Sequence, residues 1–251
     1  MLITTLGTSH GDHTYCRFNS STLFEIGEHM YLVDAGAPVN GLMIRAKKSF
    51  DRLNAVFITH MHDDHVGGLP GLIKSLRKLS RDRHDTDVFL PEPGAVPALT
   101  AWLEAQHEPW PSPLVTVRVV REGKIFDDGV LHVRAVGTQH LEPAESGIPV
   151  SFSYVLEAEG KRIVYTGDLS ADFSDFPQIA QQEPCDVCLC EVTHYNPRDA
   201  FPVFARSPIQ RLVLNHVHDP WHGEGEKRLR EILSGLPYPF DIAHDGDAFE
   251  V

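Results

Sequence analysis

Residues 58–68 read Ile58-Thr59-His60-Met61-His62-Asp63-Asp64-His65-Val66-Gly67-Gly68, "ITHMHDDHVGG", and follow the apolar run "AVF". Three histidines and two aspartates fill five of the six positions from His60 to His65. An apolar run ending in such a cluster, then two glycines, predicts a buried strand, a polar turn and a helix start. If the chain is still extended at its beginning, His60 and His62 project to one side and suit one metal ion through their ring nitrogens. Asp64 and His65 lie past the bend, open the helix and point elsewhere, which suits a second ion. Asp63 is expected at the helix N-cap or against a ligand, since short polar residues favour caps.

Further histidines and aspartates stand at the ends of other strand-like runs. His140 ends "VLHVRAVGTQH", Asp168 ends "KRIVYTGD" and His216 ends "RLVLNH". Loops at strand ends carried on a rigid scaffold are where functional residues collect. An ionised carboxylate has two acceptor oxygens, so Asp168 can bridge two ions, with His140 and His216 completing one each. Mixed N/O donors of this kind suit zinc, and manganese or iron fit the same set.

The rest of the composition narrows the function classes. The 251 residues suffice for a sizeable core, and 42% hydrophobic with 23% charged residues is ordinary for a soluble globular chain. No apolar run has the length of a membrane span, and "MLITTLGTSHGD" lacks a signal-peptide pattern, so a cytoplasmic, non-membrane protein is expected. A net charge of −13 argues against a nucleic-acid backbone as the main partner. The basic run "KSLRKLSRDRH" (Lys74 to His84) reads as the solvated side of a helix whose apolar side is Leu72, Ile73, Leu76 and Leu79. The cysteines of "CDVCLC" lack a second pair at zinc-ribbon spacing. Cys188 and Cys190 are therefore expected on one face of a buried strand.

Along the chain, strands are expected at "LITTLG", "SSTLFEIG" and "HMYLVDAG", the last two joined by Gly27-Glu28. "PVNGLMIRAKKSF" has helical spacing, "LNAVFITH" reads as a strand and "VGGLPGLIKSLRKL" as a helix. The middle offers strand "TDVFLPEP", helix "AVPALTAWLEAQH", then strands "PLVTVRVV", "KIFDDGVLHVRAVGTQH", "VSFSYVLEAEG" and "KRIVYTGD", with a hairpin at Glu159-Gly160. Helix "DFPQIAQQ", strands "DVCLCEVTH" and "RLVLNHVH", helix "EGEKRLREILSGL" and a final strand pair around "PFDIAHDGDAFEV" complete it. Strands and helices mixed throughout give an α/β layered class, with residues 1–251 as a single domain.

"THMHDDH", followed in order by "TQH", "TGD" and "LNH", resembles the metallo-β-lactamase superfamily signature of H-x-H-x-D-H with later His, Asp and His. The resemblance covers essentially the whole chain and implies the four-layered αββα sandwich with a two-metal site. It assigns His60, His62 and His140 to one ion and Asp64, His65 and His216 to the other, with Asp168 bridging. Asp34 in "LVDAG" corresponds to a supporting residue. The tyrosine that lactonases of this superfamily carry after the bridging aspartate is missing from Asp168-Leu169-Ser170-Ala171-Asp172, and Tyr195 lies on another segment. The opening "LGTSHG", "YLVDAG", "LVLNHVH" and "FDIAHDGDAFEV" resemble instead the ribonuclease Z and phosphonate-operon phosphodiesterase branch. The interval between His140 and Asp168 is too short for the tRNA-gripping arm of ribonuclease Z.

These features imply a hydrolase with two divalent metal ions, zinc first, acting on a small phosphodiester through a metal-bridging hydroxide. Asp64 and His194 are the expected catalytic residues, His194 in "CEVTHY" either as general acid or as a hydrogen-bond partner of a ligand. The alternatives are a lactone, ester or thioester hydrolase using the same metals, or a metal-dependent binding or sensor module. His10 and His13 in "TSHGDH", and His218 and His222 near Trp221, read either as site-lining or as ordinary loop residues. Partners are expected to be small molecules rather than nucleic acid. "EPWPSPL" reads as either a homodimer interface or a packed loop.

Overall fold

The computed structural model describes residues 1–80 and 85–251 and divides the chain into two compact units. The part of the basic run at 81–84 lies outside the described residues. The first unit comprises Met1–Val120 with Asp245–Glu250, and the second Arg121–His244 with Val251.

The first unit carries a seven-stranded sheet in the order β14-β1-β2-β3-β4-β5-β6. Its strands are β1 (Leu2–Gly7), β2 (Ser21–Ile26), β3 (His29–Val33), β4 (Leu53–Phe57), β5 (Thr86–Leu90), β6 (Val115–Val119) and β14 (Asp247–Glu250). β14, β1, β2 and β3 pair antiparallel, whereas β3 through β6 run parallel. Parallel neighbours need crossover connections, and helices α1 (Val39–Arg45), α2 (Asp63–Val66), α3 (Leu69–Leu79) and α4 (Ala95–Ala105) supply them. On α3, Leu72, Ile73 and Leu76 face the core as the spacing predicts, each contributing about 1.5–3 kcal/mol by burial. Leu79, expected on the same side, is exposed because the helix ends there.

The second unit has the order β13-β12-β11-β10-β9-β8-β7. It consists of β7 (Gly123–Asp127), β8 (His132–Gly137), β9 (Phe152–Ala158), β10 (Lys161–Tyr165), β11 (Val187–Val192), β12 (Leu212–Val217) and β13 (Phe240–Ile242). β7 to β10 form an antiparallel meander, and β10 to β13 are parallel. The crossovers contain α5 (Gln178–Gln182), α6 (Pro197–Arg206) and α7 (Gly225–Leu233). Glu159 and Gly160 form the predicted β9–β10 turn, both with positive φ (53° and 73°), as a tight hairpin demands. Cys185, Cys188 and Cys190 are buried in this unit's core, as expected of small hydrophobes.

Four expectations change. "KIFDDGVLHVRAVG" is a hairpin of two strands, because Asp128 accepts the Val130 and Leu131 N–H groups and turns the chain. Helix α6 replaces an unassigned connection: Pro197 sits at its first turn, where a missing N–H costs nothing, and Asn196 caps it by accepting the Arg198 N–H. The final "strand pair" is not a pair. β13 extends the second unit's sheet beside β12, while β14 returns to β1 in the first. His216 does not end its strand but lies inside β12 with φ 47°, at a register shift between β11 and β12.

No helix among the described residues is long and apolar enough to cross a membrane. The opening and closing motifs meet each other within the first unit. Asp245 accepts the Thr8 N–H (2.9 Å), the Thr8 hydroxyl (2.7 Å) and the Phe18 N–H (2.6 Å). Burial pushes the Asp245 carboxyl above its usual range despite these donors and nearby Arg17.

Candidate metal centre

In the first unit the cluster grows out of the C-terminal end of β4, the end of a parallel sheet where ligand-binding loops gather. After Ile58 and Thr59 the chain stays extended through His62, whose φ and ψ are −64° and 146°. His60 and His62 therefore project together, with ring centroids 4.6 Å apart and His60 Nε2 2.9 Å from His62 Nδ1. Two imidazoles bound to one tetrahedral zinc at about 2.0–2.1 Å place their nitrogens about 3.3 Å apart, a few tenths of an ångström wider than this pair. His62 occupies the N-cap of α2 and Asp63 its first helical position, so Asp63 is not the N-cap.

Asp64 and His65 lie one step round that helix turn and are buried. His65 Nε2 is 3.2 Å from Asp64 Oδ2. His65 Nδ1 is 2.9 Å from Asp34 Oδ2. Asp34, wholly buried after β3, also accepts the Thr59 N–H at its Oδ1 (2.8 Å). The backbone locks the same segments together, with Ala35 N–H donating to His65 O (2.7 Å) and Gly68 N–H to Ala35 O (2.8 Å). A Cβ at Gly36 would lie 2.2 Å from the Asp64 carbonyl, so only glycine permits that approach. A carboxylate 2.9 Å from His65 Nδ1 favours the tautomer with the proton on that nitrogen, the contact a supporting residue at "LVDAG" would make.

In the second unit the Asp168 carboxylate, buried beyond β10, is the hub. Its Oδ2 is 3.4 Å from His216 Nε2, 3.7 Å from His140 Nε2 and 3.8 Å from His194 Nδ1. One ligand atom from each of Asp168, His194 and His216 lies within 4.8 Å of the others. His140 and His194 rings are 4.6 Å apart, and His194 stacks on His216 at 5.8 Å. Each unit therefore gathers its share of the predicted ligands, and the imidazole-and-carboxylate chemistry fits a borderline divalent ion such as zinc.

Glu191, near the end of β11, is the acidic residue of "CEVTHY" three positions before His194. Its buried carboxylate accepts the Leu169 N–H at Oε1 (2.8 Å) and the Thr193 and His194 N–H groups at Oε2 (2.7 and 2.9 Å). His194 Nδ1 is 3.0 Å from Oε1, so Glu191 orients the His194 ring and ties it to the Asp168 loop. The cue in the sequence was an acidic residue on an otherwise apolar buried strand. Tyr195 is buried, donating its hydroxyl to the Glu191 carbonyl, and cannot substitute for an exposed tyrosine at the site. His222 Nε2 bonds the Val217 carbonyl (2.7 Å) and His13 packs edge-on to Phe18 (5.8 Å), which gives both local structural partners.

A family model described as "Anti-Pycsar protein Apyc1" matches residues 1–201. The ribonuclease Z of Synechococcus sp. strain WH7803 is 36% identical over 154 residues, which is 57% of this chain and 46% of that protein. The chain thus spans about half the length of the curated relatives it matches. Among solved structures, the metallo-β-lactamase fold protein YhfI from Bacillus subtilis superposes with a TM-score of 0.78 at 18% identity, covering 99% of both chains. A diphosphatase from the PhnP family gives 0.71 at 18%, covering 100% of this chain and 97% of the other. The structural likenesses establish the metallo-β-lactamase fold that the sequence motifs imply.

Proposed function

The chain belongs to the Anti-Pycsar protein Apyc1 family, and from that premise we propose that it is a metal-dependent phosphodiesterase acting on small phosphodiesters. Its metal ligands in this reading are His60, His62, Asp64, His65, His140, Asp168 and His216, with two divalent ions, zinc first. In this reading residues 1–251 act as one catalytic domain. The observation that carries the reading is the Asp168 carboxylate facing three imidazoles at 3.4–3.8 Å. The preset tautomer of His65 and the paired His60 and His62 rings support it from the first unit.

When bound, such ions lower the pKa of a water and stabilise charge developing on phosphoryl oxygens. The chain's own contribution is orientation and proton handling. Glu191 engages His194 at Nδ1 and so pairs with the doubly protonated ring, whose Nε2–H would then pass its proton to the leaving oxygen. Asp64 doubles as ligand and catalytic carboxylate, held beside His65. The four cysteines are free thiols, which accords with a reducing, cytoplasmic setting. Association of two copies belongs to the same reading, and sedimentation equilibrium tests it.

The ribonuclease Z relative favours a second reading, RNA as substrate, against the charge-based expectation. A panel of bis-p-nitrophenyl phosphate, cyclic nucleotides, dinucleotides, precursor tRNA, a lactone and a thioester separates the readings. Turnover of the small phosphodiesters alone supports the proposal. Cleavage of precursor tRNA alone would replace it with the RNA reading, and acyl turnover alone with a lactone, ester or thioester hydrolase. Metal binding with no turnover would leave a sensor module.

A further inference from the structure

We propose that Asp175 is a positioning residue which clamps the segment bearing His140 to the segment bearing Asp168. Its functional meaning rests on the metal-hydrolase reading above; its geometry does not. Asp175 Oδ2 accepts the Gln139 N–H at 2.7 Å. The Ser170 N–H lies 3.0 and 3.1 Å from the two carboxylate oxygens, and the Ser170 hydroxyl donates to Oδ1 at 2.8 Å. Gln139 immediately precedes His140, and Ser170 stands two residues beyond Asp168. Holding donors on both sides requires a group that only accepts, and an ionised carboxylate is such a group.

The loop that presents Asp175 is built to hold still. Phe173 has φ 60°, an uncommon backbone for a bulky residue and one that persists where packing over-determines it. Its buried ring meets Tyr195 at 4.3 Å, Phe176 at 4.8 Å and Phe204 at 5.3 Å. The Phe173 N–H donates to the Ser170 carbonyl (2.9 Å), and Asp172 Oδ1 accepts the Ser174 N–H (3.0 Å), closing the turn.

Asp175 and Glu191 thereby work in series. Asp175 joins Gln139 to Ser170, Glu191 joins Leu169 to Thr193 and His194, and the Thr193 hydroxyl donates to the His216 carbonyl. The four segments so linked carry His140, Asp168, His194 and His216. An error at one end displaces donors at the other, since ligand geometry depends on such supporting hydrogen bonds.

Asp175→Asn is the discriminating variant, because an amide nitrogen placed at either oxygen position faces an N–H donor. Asp186→Asn is the control, since Asp186 likewise accepts a backbone N–H, that of Arg162 (2.9 Å), at the end of β10 away from Asp168. Hydrogen–deuterium exchange of the metal-free protein reads the clamp directly, and competition against a chromophoric chelator reads zinc affinity. Asp175→Asn is expected to speed exchange across residues 139–141 about tenfold and to weaken zinc binding roughly tenfold, the lower end of the range for ligand-supporting groups. Asp186→Asn is expected to leave 139–141 at the wild-type rate. Unchanged exchange in Asp175→Asn, or equal acceleration in both variants, overturns the proposal. If Asp175→Asn folds poorly, Asp175→Ser, too short to span both partners, is judged by the same criterion. Full zinc affinity in Asp168→Ala would instead remove the metal-hydrolase reading, and the exchange result would still decide the clamp.

Discussion

Replacing Asp34 by asparagine should disable His65 as a ligand while leaving the fold standing. Asp34 Oδ2 lies 2.9 Å from His65 Nδ1, and Oδ1 accepts the Thr59 N–H at 2.8 Å. A carboxylate there keeps the His65 proton on Nδ1 and the lone pair on Nε2, the nitrogen 3.2 Å from Asp64 Oδ2. In Asp34→Asn the amide oxygen stays with Thr59 and the amide nitrogen meets Nδ1, which drives the proton to Nε2. Restoring the ligating tautomer then sets two donors against each other in a dry site, at about 1–3 kcal/mol. At about 1.4 kcal/mol per tenfold, zinc binding should weaken on the order of 10–100-fold, in line with other ligand-supporting groups. Asparagine tolerates the left-handed φ of 61° at this position, so thermal unfolding should shift by only a few degrees. The assay is zinc competition by equilibrium titration, paired with a melting curve. Zinc affinity within twofold of wild type, in a folded Asp34→Asn protein, would refute the tautomer reasoning.

Other perturbations have equally definite outcomes. Glu191→Gln should lower kcat about 100-fold at saturating zinc, the lower part of the range for a positioned general acid; kcat restored in full at saturating zinc would make Glu191 a ligand support alone rather than also a holder of His194. Gly36→Ala should destabilise the Asp64 turn and reduce zinc affinity, because its Cβ would lie 2.2 Å from the Asp64 carbonyl; a crystal structure with that turn unmoved would contradict this. Native protein at pH 8 should react with a thiol reagent at Cys16 alone. Burial pushes the Cys185 thiol up to about 12 and Cys190 higher still, so those groups remain protonated and enclosed until denaturant is added. Chelation should abolish turnover and lower the melting temperature, and stoichiometric zinc should restore both, since a ligand that binds only the folded state stabilises it.

Much of the site was legible because ligand chemistry is local. "HMHDDH" carries its own geometry: an extended stretch aims His60 and His62 one way, and a helix turn aims Asp64 and His65 another. Asp168 and His140 also follow their strands as the apolar runs imply. His216 stands inside β12 rather than at its end, since a register shift depends on the neighbouring strand and leaves no periodic trace. Helix α6 leaves a weak periodic signal because it contains two prolines, although Pro197 at the first turn is compatible with a helix. The supports Glu191 and Asp175 bind backbone N–H groups of segments far away in sequence, and such pairings exist only after the strands are in register. Asp245 is the same case, tying the closing motif to Thr8 and Phe18.

The central claim is a metal-dependent phosphodiesterase organised around Asp168. Hydrolysis of bis-p-nitrophenyl phosphate by zinc- and manganese-loaded protein, with Asp168→Ala alongside, tests it most directly. The account predicts turnover by the wild type and a loss of about 100-fold or more in the variant, with one or both ions released. No turnover by wild-type protein that holds two ions, or equal turnover by the variant, would contradict it.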